Sequence, residues 1–583
     1  MPRGVTFNTM GYPQPNGIYG IPVAWSDLDG DGDPDLLAGG HATGRLGLWE
    51  NVSGTFVDRE PGSGLPHLPG ISALSLADVD ADGDVDLLCT MWGTPSRYFE
   101  QVRPFLFVEA TDAVGLTTDG PARCASWSDV NGDGWIDLFI ARYAGGIAGT
   151  LGARSHLYLN FGGSLVEAGE AMGVGAPAYS FLGSFVDVDR DTIADLVLSN
   201  DRGFFPPHYQ GNQAWRVSVT GFLDVSVGCG LGQPLYSMGM APGDFNRDGM
   251  MDLLVANISD VEQPLGAVNP LFMAQGPWAF DEQCEAWGLL PGPGSVTAWS
   301  TLAADFDNDG WTDLAINNQF HPNALYRNAG DSSFVNVTSE AGFGGPNKPS
   351  YSSAAADLDG DGDIDVASLE LATSLRLLVN HEGERRPSLS IEVVGEWPNT
   401  QAIGALVDVE VGGATLLGQV MVGGHGYLGQ NELRLHFGLG PSASTEAVHV
   451  RWPWSGPSRS LSRLAAGRWR VYPPSRLGDV NGDFEVDETD DASFAQCLAG
   501  NGYAGCEMFD FNGDGQVDAA DVAPYDARRL LSPADFDRSG LVDAADLAIV
   551  LSNWGLANPM VTLGASRSVG GAELGAVLAD WDG

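Results

Sequence analysis

The residues of this chain best suited to chemistry are aspartates that recur at short, fixed spacing. The first group is Asp27, Asp29, Asp31 and Asp35, which occupy positions 1, 3, 5 and 9 of a loop with Gly32 at position 6. Four carboxylates this close repel one another unless a cation neutralises them, and a hard divalent ion with oxygen ligands fits the spacing. Glycine permits the sharp turn at position 6, because it has no Cβ. A single loop of this kind is equally compatible with an acidic surface turn.

Six further copies of the loop favour the metal site over the acidic turn. The copies begin 51 to 61 residues apart, and a near-constant interval of this size is typical of a repeat architecture. The predicted metal ligands of these copies are Asp78, Asp80, Asp82 and Asp86; Asp129, Asn131, Asp133 and Asp137; Asp187, Asp189, Asp191 and Asp195; Asp244, Asn246, Asp248 and Asp252; Asp305, Asp307, Asp309 and Asp313; and Asp357, Asp359, Asp361 and Asp365.

Each acidic loop lies among four short segments with the composition of β-strands. A small or aromatic run precedes the loop, as at 23–26, and an apolar run follows it, as at 137–141. Two more segments complete the repeat, as at 323–328 and 333–338. Four short strands per repeat, separated by Gly, Asn and Asp turns, are typical of a propeller blade. Seven copies therefore predict a seven-bladed β-propeller over residues 1–384.

The two ends of the repeat region predict how the ring closes. The seventh repeat has its third segment at 375–380 but lacks a fourth, and the opening residues 4–12 resemble the missing piece. We therefore expect the N-terminus to pair into the last blade, which removes two exposed strand edges.

Composition excludes several classes of partner. The formal net charge of −48 opposes binding to nucleic acid and to anionic lipid, and no apolar run is long enough to span a membrane. Of the six cysteines, Cys497 and Cys506 are close enough in sequence for a disulfide, and we expect the other four to be buried thiols. No signal peptide is visible, yet binding of several calcium ions is typical of extracellular or cell-surface proteins, which is the expected location.

The repeat region resembles the FG-GAP or VCBS repeats of integrin alpha heads and of many secreted bacterial proteins. The resemblance rests on the seven DxDxDGxxD loops and implies one structural Ca²⁺ in the loop of each blade. The fourth loop departs from the family pattern, because Thr192 replaces the glycine at position 6. We expect that site to be the weakest of the seven, or empty.

Residues 385–473 follow a polar linker and contain several segments that read as strands. They carry the motifs Asn399, Gly404, 426–429 (Gly-Tyr-Leu-Gly), 435–440 (Leu-His-Phe-Gly-Leu-Gly) and 450–453 (Val-Arg-Trp-Pro). This set resembles the ASPIC/UnbV domain that follows FG-GAP repeats in cartilage acidic protein. The resemblance implies a small all-β module attached to the propeller. We expect His436 to be a core or turn residue rather than a ligand.

Residues 474–583 carry a second acidic pattern, now with an acid at position 12 and a helical sequence after the loop. This is the half-EF-hand form of a Ca²⁺ site. It resembles dockerin type I repeats, which implies an α-helical, EF-hand-like domain and a cohesin-like partner. The predicted ligands are Asp479, Asn481, Asp483, Asp487 and Asp490; Asp510, Asn512, Asp514, Asp518 and Asp521; and Asp535, Asp537, Ser539, Asp543 and Asp546.

These patterns favour a secreted, calcium-binding, non-catalytic binding or adhesion protein with a protein or glycan ligand and an anchoring tail. The alternative is a polysaccharide-active enzyme, a hydrolase or lyase, or a carbohydrate-binding component of a dockerin-type assembly. The chain has no GxSxG, HExxH, P-loop or Rossmann fingerprint. A glycosidase needs two free carboxylates at one cleft, and Asp260, Glu262, Asp281 and Glu282 are weak candidates. No catalytic residue is therefore assigned.

Overall fold

A computed structural model describes most of the first 474 residues and parts of the tail. The described residues are 7–10, 22–39, 44–118, 120–143, 153–174, 177–202, 211–218, 220–258, 268–290, 297–344, 350–370, 374–381, 385–474, 477, 488–498, 506–511, 513, 516–522 and 524–525.

Residues 7–380 form seven four-stranded antiparallel sheets, one for each acidic loop. The first to third blades contain β2 Val23–Ser26, β3 Asp35–Gly39, β4 Leu46–Val52, β5 Thr55–Asp58; β6 Ile71–Ala77, β7 Asp86–Met91, β8 Arg97–Arg103, β9 Leu106–Glu109; and β10 Ala122–Ser128, β11 Asp137–Arg142, β12 His156–Asn160, β13 Leu165–Glu167. The fourth and fifth contain β14 Ser180–Val186, β15 Asp195–Asn200, β16 Gln213–Ser218, β17 Gly221–Asp224; and β18 Ser237–Gly243, β19 Asp252–Asn257, β20 Leu271–Gly276, β21 Ala279–Glu282. The sixth contains β22 Ala298–Ala304, β23 Asp313–Asn318, β24 Ala324–Asn328, β25 Phe334–Asn336 and the short helix α1 Thr338–Ala341, and the seventh contains β26 Ser350–Ala356, β27 Asp365–Glu370, β28 Ser374–Asn380 and the N-terminal strand β1 Phe7–Met10.

The seven sheets are arranged in a closed ring around a central channel. The first strand of each blade contacts the first strands of both neighbouring blades, and β2 contacts β26 to complete the circle. The Trp25 indole Nε1 donates a hydrogen bond of 3.2 Å to the Ala354 carbonyl across this junction. Buried apolar side chains fill the spaces between adjacent sheets. The prediction of a mostly β, seven-bladed propeller is confirmed.

The N-terminal strand closes the ring as the sequence predicts. Strand β1 pairs antiparallel with β28, with Phe7 opposite Asn380 and Met10 opposite Leu377. It thereby supplies the outer strand that the seventh repeat lacks, so that each blade has four strands.

Deleting residues 1–10 should lower the melting temperature by on the order of 5–10 °C, because the seventh blade loses the backbone hydrogen bonds of an entire strand. Differential scanning calorimetry checks this expectation. Replacing the same ten residues by a Gly/Ser sequence of equal length should have the same effect, and an unchanged melt in both variants would contradict the closure.

Residues 388–471 form a β-module of two packed sheets. Its strands are β29 Ser388–Val393, β30 Leu406–Val411, β31 Ala414–Gln419, β32 Val422–Gly423, β33 Leu435–Gly438, β34 Ala447–Arg451, β35 Ser458–Leu461 and β36 Gly467–Val471. One sheet has the order β33-β29-β36 and the other β31-β30-β34-β35, whereas β32 pairs with β10 and adds a fifth strand to the third blade. Their inner faces bury a shared core that includes Leu389, Val407 and Val450.

Part of this β-module lies inside the propeller. We call residues 419–432 the channel segment, because they contact the first strand of all seven blades. The contacts are Gln430 with Trp25 and Leu76; Gly423 with Ser126; Gly424 with Ser184; Gly426 with Met240; Tyr427 with Trp299; and Asn431 with Ala355. A Cβ on Gly424 would lie 2.8 Å from the Ser184 Cα, so a glycine is required for this approach. The module is thus attached through the axis of the ring.

The described part of the tail contains the helix α2 Glu488–Leu498 and a short 3₁₀ turn at Cys506–Phe509. A disulfide joins Cys497 to Cys506, and the other four cysteines are buried free thiols, as the sequence predicts. Among the described residues, no helix is both long and apolar enough to cross a membrane.

Candidate metal centres

All seven acidic loops fold in the same way, and each connects the first and second strands of its blade. The residue at position 6 donates its backbone N–H to the aspartate at position 1, as Gly32 does to Asp27 Oδ2 at 2.9 Å. Gly32 has a φ of 90°, which favours glycine. The remaining donor–acceptor pairs are Gly83–Asp78, Gly134–Asp129, Thr192–Asp187, Gly249–Asp244, Gly310–Asp305 and Gly362–Asp357.

The aspartate at position 9 connects its loop to the rest of the blade. Asp35 accepts the backbone N–H of Leu28 through Oδ2 and that of Asn51, on the third strand, through Oδ1, both at 2.8 Å. The same two acceptor contacts are made by Asp86, Asp137, Asp195, Asp252, Asp313 and Asp365. These carboxylates are buried, so they fix the loop against the sheet.

An amide side chain on the third strand links each of five loops to the preceding blade. The Asn51 amide donates to the Leu358 carbonyl at 2.7 Å, and the Asn160 amide donates to the Val79 carbonyl at 2.8 Å. Gln101, Asn328 and Asn380 make the equivalent contact. Sequence reasoning assigned these residues no role, although an asparagine recurs at the end of the third segment in 323–328 and 375–380.

Carboxylate oxygens converge in five of the seven loops. In each, one oxygen from each of three aspartates lies within 4.8 Å of the others: Asp27, Asp29 and Asp35; Asp78, Asp80 and Asp82; Asp187, Asp189 and Asp195; Asp305, Asp307 and Asp313; and Asp357, Asp359 and Asp361. In the third and fifth loops position 3 is an asparagine, and the amides of Asn131 and Asn246 donate to Asp133 and Asp248.

Burial and mutual repulsion disfavour the charged form of the loop carboxylates. Burial is the largest cause of raised carboxyl pKa values, and it raises the pKa of Asp35, Asp86 and Asp252 to about 8. Burial also raises the pKa of Asp137 and Asp365 well above the usual range. Neighbouring carboxylates add repulsion at each of these sites.

Ca²⁺ fits the geometry and the donor set of the loops. Buried oxygens of Asp78, Asp189 and Asp357 have no hydrogen-bond partner among the described residues, although buried polar atoms are normally paired. A hard divalent ion uses such carboxylate oxygens as ligands and removes the repulsion between them. In five loops the residues that would hold it are three of the aspartates at the predicted positions.

The fourth loop differs from the others at position 6, where Thr192 replaces glycine. Thr192 has a φ of 72°, a conformation that costs a residue with a Cβ about 1–2 kcal/mol. The guanidinium of Arg216 lies 2.8 Å from Asp189 and 3.4 Å from Asp191. The sixth and seventh loops also have an arginine beside an aspartate, with Arg386 2.9 Å from Asp307 and Arg468 3.2 Å from Asp357. The strained Thr192, not the arginine, therefore sets the fourth loop apart.

Thr192→Gly should strengthen the fourth site and raise the melting temperature in calcium by about 2–4 °C, because the strained backbone is relieved. The matched control is Gly83→Ala at the same position of the second loop, where φ is 96° and a Cβ would meet no atom within 4 Å. The control should lower the melting temperature through backbone strain alone. A Thr192→Gly protein less stable than the parent would contradict this explanation.

The β-module lies against the loop-bearing face of the propeller. The Arg468 guanidinium is 3.2 Å from Asp357, that of Arg386 is 2.9 Å from Asp307, and Arg434 donates to the Gly32 carbonyl at 3.1 Å. Other module residues contact the second, third and fourth loops through Gln401, Trp454 and Gln419. Six of the seven loops, as the structure describes them, are therefore contacted by the module.

The ASPIC/UnbV motif residues explain part of this docking. A Cβ on Gly438 would lie 2.0 Å from Asp305 Oδ2, so only glycine allows β33 to approach the sixth loop. The His436 Nε2 atom is 2.6 Å from Asn308 Oδ1, and burial lowers the pKa of His436 to about 4. His436 is thus a neutral packing residue at the interface, as the sequence predicts.

The tail is only partly described. Asp521 accepts the backbone N–H groups of Phe511 and Asp518, at 2.8 and 2.9 Å, and Asp510 accepts that of Gly513 at 2.7 Å. This is the fold of a capped loop that enters a helix. The other predicted tail ligands or their side chains lie outside the described residues: Asp479, Asn481, Asp483, Asp487, Asp490, Asn512, Asp514, Asp535, Asp537, Ser539, Asp543 and Asp546.

Comparison with known proteins identifies the three parts of the chain. Residues 27–89 and 291–368 match the FG-GAP-like repeat family, 395–471 match ASPIC and UnbV, and 477–526 match the dockerin type I domain.

Among whole proteins, cartilage acidic protein 1 of Mus musculus is 25% identical over 489 residues, which cover 75% of this chain and 70% of that protein. The protein of the same name from Homo sapiens is 24% identical over 482 residues, with 75% and 68% covered.

Solved structures with similar folds include the BP39L lectin of Burkholderia pseudomallei, with a TM-score of 0.38, 12% identity and coverage of 62% of this chain and 99% of the lectin. Sqt1 of Saccharomyces cerevisiae has a TM-score of 0.37, 12% identity and coverage of 64% and 99%. The chain is a β-propeller that matches the FG-GAP-like repeat family over 27–89 and 291–368, followed by a segment that matches ASPIC and UnbV and one that matches the dockerin type I domain.

Proposed function

We propose that this chain is a calcium-stabilised, non-catalytic binding protein that works outside the cell. In this proposal residues 1–384 form the ligand-binding propeller, 385–473 the module that fixes its loop face, and 474–583 the attachment domain. The observation that carries it is the convergence of three aspartates at each of five equivalent loops, because such groups bind Ca²⁺ and stabilise the fold.

The surroundings of the loops support a structural role for the metal. The position-9 carboxylates are buried and already accept two backbone N–H groups each, as Asp35 does. The β-module contacts six of the described loops, so a substrate would compete with protein contacts there. Metal catalysis needs an open coordination position, which this arrangement disfavours.

The remaining partners follow from the domain types. A dockerin domain implies a cohesin-type protein partner, and FG-GAP repeats and dockerins are typical of extracellular proteins. The face of the propeller opposite the acidic loops is the surface we propose for a protein or glycan ligand, because the module lies against the other face.

A glycan and protein array tests the proposal, probed with the full-length chain in calcium and after calcium depletion. We expect binding to at least one ligand in calcium and its loss on depletion, with recovery when calcium is restored. Incubation with a panel of polysaccharides under the same conditions should give no new reducing ends. Turnover of any polysaccharide would favour an enzyme, and binding unaffected by calcium would contradict the proposal.

A further inference from the structure

The end of the central channel opposite the acidic loops is lined by aromatic side chains. In six blades the pairing of the first two strands is irregular at this end, and such bulges redirect side chains. The residues in these irregular stretches include Arg123, Phe181, Trp299 and Tyr351. They surround Tyr427 at the tip of the channel segment, whose ring lies 5.8 Å from Phe181 and 5.2 Å from Trp299. We call Trp92, Arg123, Tyr143, Phe181, Trp299 and Tyr351 the mouth cluster.

Among the described residues, the side chain of Arg123 is held in this cluster by aromatic rings. Its guanidinium carbon lies 3.3 Å from the centre of the Trp92 ring, 5.0 Å from that of Phe181 and 5.2 Å from that of Tyr143. These cation–π contacts fix the orientation of the planar guanidinium.

Arg123 has no acidic partner among the described residues, although the chain has 76 acidic residues and a net charge of −48. Its Nε atom is buried and donates no hydrogen bond to those residues. Burial lowers the pKa of Arg123, while Tyr427 and Tyr143 oppose that shift. A buried cation without a counter-charge is unfavourable for folding, because its desolvation is not offset. Such a cation is expected where it pairs with a ligand anion instead.

The rest of the mouth cluster suits a flat ligand with hydroxyl groups. Trp92 is 40% exposed, although the Arg123 guanidinium lies against its ring. In the sixth and seventh blades, the Trp299 indole donates to Gln319 Oε1 at 3.1 Å, and the Gln319 amide donates to the Tyr351 hydroxyl at 2.7 Å. The mouth cluster thus offers both an exposed aromatic ring and fixed polar groups, and a pyranose ring has an apolar face and a polar edge to match them.

We propose that the mouth cluster binds a uronic acid unit of an acidic polysaccharide, with the sugar carboxylate on the Arg123 guanidinium and the sugar ring on the neighbouring aromatic side chains. Arginine is suited to the carboxylate because its planar fork makes two parallel hydrogen bonds. The inference rests on the proposed binding function and assigns that function a ligand class and a location. An acidic peptide also offers a carboxylate, but the exposed indole favours a sugar.

Isothermal titration of the full-length, calcium-loaded chain with trigalacturonate tests the proposal. We expect binding that weakens as salt rises, with maltotriose, a neutral trisaccharide, bound at least tenfold more weakly. Arg123→Gln should weaken trigalacturonate binding at least tenfold. Arg123→Lys should recover only part of it, because lysine lacks the planar fork. The matched control is Arg463→Gln, an exposed arginine of the β-module, which should bind like the parent.

A melting curve separates lost recognition from lost folding. Arg123→Gln should melt at the parental temperature or higher, because it removes an unpaired buried cation. The proposal is overturned by equal affinity for charged and neutral trisaccharides, by no binding of trigalacturonate, or by parental affinity in Arg123→Gln. Tighter binding of triglutamate than of trigalacturonate would overturn the sugar as the ligand and indicate an acidic protein instead. If an array reveals another ligand, and Arg123→Gln binds it with the affinity of the parent, the proposed binding function stands and this inference fails.

Discussion

Depleting the full-length chain of calcium should lower its melting temperature by at least about 10 °C, since each occupied site can contribute about 2–3 kcal/mol when calcium exceeds its dissociation constant a hundredfold. The loss is large because the buried carboxylates of the loops would repel one another without the ion. Asp305 and Asp313 illustrate this, since burial raises both pKa values and neighbouring carboxylates raise them further. Differential scanning calorimetry with and without calcium measures the shift.

The same carboxylates determine the sign of the pH dependence. In the calcium-free chain, burial raises the pKa of Asp35 and Asp86 to about 8, above the value of about 4 in an unfolded chain. A carboxyl group whose pKa is raised by folding stabilises the fold fully at a pH below its pKa in the unfolded chain. This contribution is lost as the pH rises through its pKa in the folded chain. The gap between calcium-loaded and calcium-free melting temperatures should therefore be wider at pH 8 than at pH 5. Magnesium should close less of the gap, because it tolerates fewer geometries. A gap that narrows towards pH 8 would contradict this reading.

Tyr427→Ala should destabilise the chain by about 3–5 kcal/mol, the usual effect of removing a buried aromatic ring. Tyr427 is 1% exposed and lies in the channel segment, between side chains of the fourth and sixth blades. Its loss opens a cavity at a point where the β-module and the propeller meet. Urea unfolding monitored by tryptophan fluorescence measures the change.

Tyr427→Phe is the matched control, since it keeps the ring and removes only the hydroxyl. We expect its free energy of unfolding to lie within about 1.5 kcal/mol of the parent, as for other swaps that conserve volume. If Tyr427→Ala is as stable as Tyr427→Phe, the channel segment does not contribute to the stability of the ring.

The ring of blades could be predicted from the sequence because the residues that form each blade are close together in the chain and recur in every repeat. Asp27, Asp31 and Gly32 show the turn within six residues, and six further copies give the number of blades. The pairing of the N-terminus with the last blade followed from counting strands in the seventh repeat. In such cases the residues that form a feature are neighbours in the chain or occupy equivalent positions in each repeat.

The channel segment could not be predicted in the same way. Gly426 and Tyr427 lie in a small β-module, whereas their partners in the first strands, Met240, Phe181 and Trp299, lie more than 120 residues earlier in the chain. Pairing over such distances leaves no periodic signal. The same holds for Arg123, whose aromatic neighbours Trp92 and Phe181 come from different blades.

X-ray diffraction from crystals grown in calcium, recorded at a wavelength where calcium scatters anomalously, tests the central claim most directly. The account predicts anomalous density between the converging carboxylates of the loops, for example among Asp27, Asp29 and Asp35 and among Asp305, Asp307 and Asp313. It predicts weaker density in the fourth loop than in these two, because Thr192 holds a strained backbone there. A ring of blades with no calcium between these carboxylates would contradict it.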